Sequence, residues 1–159
     1  MDIDVILCNH AEVAENKLFV TGGGINMCFV QPMPPHVVSV ALGCVVHVPY
    51  LATNQGHTLE ISLVDADGAP IVPWVPEGMP TPEPVKATQG FNMGRPPLIQ
   101  MGDEQTMSFA VNFTNLPLES AGLYELVVQI NEDILRRMPF RVTPAPPGMF
   151  PVMPAAPAA

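Results

Sequence analysis

The sequence predicts an all-β protein, an antiparallel β-sandwich of about eight to ten strands joined by hairpins, followed by a Pro/Ala-rich tail. Three observations carry this. Apolar residues recur with period two along most of the chain, and no stretch sustains a helical stripe. Gly, Asp, Asn and Pro clusters punctuate the runs at the spacing that turns need. The run His36 to Val48, HVVSVALGCVVHV, reads as one long strand that is apolar on both faces.

Taken in order, the expected strands are Ile3 to Cys8, Leu18 to Thr21, Ile25 to Gln31, Val37 to Val48, Thr58 to Val64, Ile71 to Val75, Val85 to Phe91, Thr106 to Phe113, Leu123 to Ile130 and Ile134 to Val142. The polar segment Asn9 to Lys17 reads as a solvated connector, with Asn9 capping a helical turn. Gly22, Gly23 and Gly24 fall where a tight reversal joins the second and third runs. In the fourth run, Val38, Val40, Leu42, Cys44, Val46 and Val48 form one face, while Val37, Ser39, Ala41, Gly43 and Val45 form the other. The second face is small enough for close approach and needs a cover. Asp65-Ala66-Asp67-Gly68 suits a turn into the run through Ile71. One-sided alternation marks Leu59, Ile61 and Leu63, and again Met107, Phe109, Val111 and Phe113. Gly122 two residues before Tyr124 is similar to the tyrosine corner of immunoglobulin-like sandwiches, although the Cys, Trp and Cys spacing of those domains is absent. Asn131-Glu132-Asp133 closes the last hairpin.

The 159 residues suit one domain, expected over 1–143, and a tail over 144–159. A net charge of −9 with six Lys and Arg argues against nucleic acid and anionic membranes as partners. With charged residues at only 13% and hydrophobic ones at 48%, the surface is short of charge, as surfaces covered by other protein are. Asp2 and Asp4 interrupt the N-terminal apolar stretch, no signal sequence is read there, and no run approaches the ~20 apolar residues of a membrane span. Cys8, Cys28 and Cys44 are odd in number and lie inside strand-like runs, which points to buried free thiols in a reducing cytoplasm. The N-x-T sequon at Asn112 then carries no glycan.

No constellation identifies a reaction, and no cofactor is expected. His10, Glu12 and Glu15 form the densest polar cluster, and an enzyme built on them requires their side chains to converge. His36 and His47 fall on opposite faces of one strand and cannot share an ion; Cys44 shares a face with His36 but lies roughly 26 Å away. The glycine triplet lacks the following helix of a phosphate loop, and Asp65 to Gly68 lacks the remaining ligands of a calcium loop. No GxSxG elbow occurs. Trp74 and Tyr50 offer aromatic faces for a sugar or small molecule, whereas a structural Trp74 packs over the end of the sandwich. The uncharged tail presents Met149, Phe150, Val152 and Met153 for docking on the chain itself or a partner.

The stretches CNHAEVAENKLFVTGGGIN (8–26), VHVPY (46–50), VPWVPEG (72–78) and GLYELVVQIN (122–131) together resemble an uncharacterised family of small acidic actinobacterial proteins, a domain family of unknown function. The resemblance extends to about Val142 and implies no activity, cofactor or catalytic residue. The resulting expectation is a non-enzymatic cytoplasmic module that binds itself or another protein through Val37, Ser39, Ala41, Gly43 and Val45. The alternative is a small-molecule or carbohydrate-binding sandwich that uses Trp74 and Tyr50.

Overall fold

The computed structural model describes residues 1–149. It contains nine strands: β1 (Asp2–Ala14), β2 (Lys17–Gly23), β3 (Met27–Val30), β4 (His36–Pro49), β5 (Gly56–Asp65), β6 (Lys86–Asn92), β7 (Glu104–Leu118), β8 (Gly122–Ile130) and β9 (Asp133–Pro144). One sheet runs β2-β1-β4-β7 and the other β3-β9-β8-β5-β6. The all-β sandwich expected from the sequence is what the chain forms. Every pairing is antiparallel except β3 with β9.

The core lies between the sheets and follows the predicted alternation. The inner face of β4 contributes Val38, Val40, Leu42, Cys44, Val46 and Val48, opposed by Leu59, Ile61, Leu63, Leu126, Val128, Phe140 and Val142. Tyr124 stacks near Phe140, and its hydroxyl donates to the Ser120 carbonyl at 2.6 Å. His36 is buried on the same inner face, and its Nδ1 donates to the Gln31 carbonyl at 2.9 Å. One side of the sandwich is closed by β1 and β9, where Arg136 bonds Asp2 at 2.8 Å.

Four local expectations need correction. Residues 9–14 continue β1, and Glu15 (φ 50°) with Asn16 (φ 59°) makes a two-residue hairpin turn into β2, so no helical turn forms there. Asn9 capping is therefore wrong. The glycine triplet is not a hairpin: β2 and β3 belong to different sheets, and the chain crosses between them at Gly24 and Ile25, whose amides both donate to the Leu7 carbonyl. The Asp65 to Gly68 turn forms as expected, with the Gly68 amide on the Asp65 carbonyl, but only one bridge follows it, Val64 with Pro70. Residues 71–75 are not a strand, because Pro70, Pro73 and Pro76 remove donors a ladder requires. Finally, β3 pairs in parallel, so hairpin succession does not set every pairing.

Candidate interaction surface

The outer face of β4 is largely covered, and the cover comes from the chain itself. β1 pairs with β4 from Asp2 to Cys8 and with β2 from Cys8 to Ala14. Its second half parts from β4, stays paired with β2 and carries that hairpin across the outer face. There Cys8, Ala11 and Ala41 make a second buried cluster, against which Leu18, Val20 and Ala110 pack. The side chain of Asn112 on β7 clamps this hairpin. It accepts from the Ala11 amide at 3.1 Å and donates to the Ala11 carbonyl at 2.8 Å.

Small residues in β4 make room for that crossing. Ala41 is 0% exposed. A Cβ on Gly43 would lie 2.9 Å from Val20 Cγ2 and 3.0 Å from Leu18 Cδ2, closer than real side chains pack. Ala41 and Gly43 are therefore not a surface for a partner, and that part of the expected contact face is withdrawn. Of the other three residues, Val37 is 48% exposed, Ser39 is exposed and Val45 is half-buried. Ser39 serves locally: its hydroxyl accepts the Asn115 amide at 2.9 Å, where β7 bulges with Asn115 at φ 52°.

At the far end of the outer face His47 is held between two carboxylates, Nε2 to Asp4 and Nδ1 to Glu104, both at 2.8 Å. These hydrogen bonds raise its pKa above the ordinary histidine value. The arrangement ties β1, β4 and β7 together. His10 and Glu12 are exposed on β1, and Glu15 sits in the turn beside Lys17 at 3.7 Å. Among the described residues, no three His, Cys, Asp or Glu side chains are grouped to hold a metal ion. Cys8 and Cys44 are buried and Cys28 is half-buried, all as free thiols; desolvation pushes all three up, Cys44 to about 12 with help from nearby Cys8. They carry no thiolate at neutral pH.

Trp74 and Tyr50 do not share a site. The Trp74 amide donates to the Pro117 carbonyl at 2.9 Å, and Pro117 pairs with Val37; Tyr50 follows Pro49, which pairs with Glu104. The length of β4 between those points is about 40 Å. The Tyr50 ring is also covered by the Arg95 guanidinium, centred 3.9 Å away. Arg95 further bonds the Thr53 hydroxyl at 2.7 Å and the Tyr50 carbonyl at 2.8 Å, which braces the loop over 93–103. That loop displays Leu98 (90% exposed) and Met101 (81%). In the sequence these read only as loop residues. Of the tail candidates, Met149 is half exposed, while Phe150, Val152 and Met153 lie outside the described residues.

The surface that sequence reasoning missed is the free edge of β7. This strand is last in its sheet and pairs on one side only, with β4. Its late part is protected by the Asn115 bulge, by Pro117 and by the Trp74 main chain. From Gln105 to Phe113 there is no charge, no proline and, among the described residues, no backbone partner on the open side. Beneath it Phe109 and Phe91 meet edge to face at 5.2 Å, and Phe109, Val111 and Phe113 are half-buried, packed against the rim of the core where β6 and β7 face each other unpaired.

Comparison with known proteins gives a family and nothing beyond it. The sequence model of DUF6941, a family of unknown function, matches residues 4–143. The chain belongs to that family. No curated protein and no solved structure matches it.

Proposed function

We propose that this chain is a non-enzymatic cytoplasmic interaction module that recruits protein by strand addition to the free edge of β7. One observation carries the reading: Gln105 to Phe113 is an edge strand with an open row of backbone groups and none of the charges or prolines that protect such edges. An added strand would pair with those groups and complete the burial of the half-buried Met107, Phe109, Val111 and Phe113. Solvent exposure of His10, Glu12 and Glu15 favours a binding role over a catalytic one. The tyrosine-corner bond of Tyr124 supports an immunoglobulin-like reading of the late strands.

The test is site-specific photo-crosslinking in the cells that make the protein. A crosslinker at Ser108 is expected to yield a protein adduct of defined mass, and one at exposed Glu12 is not. Equal yields, or none from Ser108, would contradict the reading.

A further inference from the structure

We infer that the strand added to β7 is β7 of a second copy, paired antiparallel about a dyad at Phe109. This rests on the strand-addition reading and names its partner. The open segment is bounded at one end by Glu104 and the Arg95-braced loop, and at the other by the bulge at Asn115 and the Trp74 cover. Its midpoint is Phe109. Antiparallel pairing about that point puts Phe109 opposite Phe109, Met107 opposite Val111 and Gln105 opposite Phe113. On the other face Ser108 opposes Ala110, and Thr106 opposes Asn112. At the centre of the inner side apolar residues thus meet apolar residues, with Gln105 against Phe113 at the two ends, and small or polar residues meet their like outside.

The match is unusual for a strand paired with itself, because any ionisable residue near the dyad would face its own charge. None occurs between Gln105 and Leu118. The contact is isologous and closes at two copies, so it consumes the edge that would otherwise propagate. The same register carries the loop with exposed Leu98 and Met101 toward the partner's Pro117 and Trp74. Those ends extend the contact beyond one strand, toward the ~800 Å² per partner of a standard interface. The charge of −9 on each copy opposes association and is screened by salt.

Sedimentation of the full chain is expected to show a two-chain species that grows with concentration and tightens with added salt. The double variant Thr106→Lys/Ser108→Lys is expected to stay monomeric with an unchanged circular dichroism spectrum. Phe109→Cys places two thiols on facing positions, about 4.5–5.5 Å apart between Cβ atoms, and is expected to give a covalent dimer on mild oxidation. Gln105→Cys alone is expected to give none, whereas its mixture with Phe113→Cys does; the wild type controls for Cys28. Crosslinking by Gln105→Cys alone overturns the register. A wild type that stays monomeric to millimolar concentration overturns the second copy as partner. If the Ser108 crosslinker then captures a different protein, strand addition stands; if it captures nothing, both readings fall.

Discussion

The outer face of β4 and the free edge of β7 are both uncharged stretches of one sheet, yet the chain seals the first and leaves the second open. Over β4 the β1–β2 hairpin lies on Ala41 and Gly43 and is clamped by Asn112. Along β7 nothing among the described residues pairs with the open side of Gln105 to Phe113. Missing polar alternation therefore signals cover, and topology decides whether the cover is intramolecular. Small residues mark the sealed region; half-buried aromatic and branched residues mark the open one.

The contrast can be broken first at the seal. Gly43→Val drives a branched side chain into Val20 and Leu18, and overpacking of this kind costs about 1–3 kcal/mol. Urea unfolding is expected to show that loss, and an unchanged midpoint would mean the hairpin does not press on β4. Asn112→Ala leaves the Ala11 amide and carbonyl without their partner; because the site is only part-buried, the loss belongs at the lower end of about 1–3 kcal/mol. Amides of β2 should exchange faster in that variant. Ser39→Ala removes one hydrogen bond at the β7 bulge, an effect of about 0.5–1.5 kcal/mol at most.

His47 offers a pH test of the sealed region. Its folded pKa is raised by Asp4 and Glu104, so its contribution is full below the unfolded value of about 6.5 and is lost as pH rises through the folded value. Wild type is expected to lose more thermal stability than His47→Gln on going from about pH 6 to about pH 8.5. Parallel losses would remove the histidine from the account. The smallest stability effect belongs to the open edge: in dilute solution, where the wild type is also monomeric, Thr106→Lys/Ser108→Lys is expected to shift unfolding by within about 0.5 kcal/mol per substitution, as surface changes do. A larger shift would show that the edge is packed after all.

Most of the fold was legible because sandwich strands carry a period-two pattern, and the inner face of β4 was visible residue by residue. The need for a cover over Ser39, Ala41 and Gly43 was equally visible. Its source was not, because the segment 9–17 is polar overall and reads as a connector. The alternation of Ala11 and Val13 with His10 and Glu12, together with the Glu15-Asn16 turn, was the signal that β1 continues. The β7 edge was illegible for another reason: period two gives a strand its faces and says nothing of its neighbours. Likewise the separation of Trp74 from Tyr50 depends on which ends of β7 they approach, a long-range fact that neither local motif contains.

Residue-resolved amide hydrogen exchange of the full chain at low and high concentration compares the two regions directly. Alternate amides between Thr106 and Phe113 are expected to exchange rapidly in dilute solution and become protected as concentration rises, while Ala11 and the amides of β2 keep the same protection in both. Protection of the Thr106 to Phe113 amides that does not change with concentration would contradict the open edge.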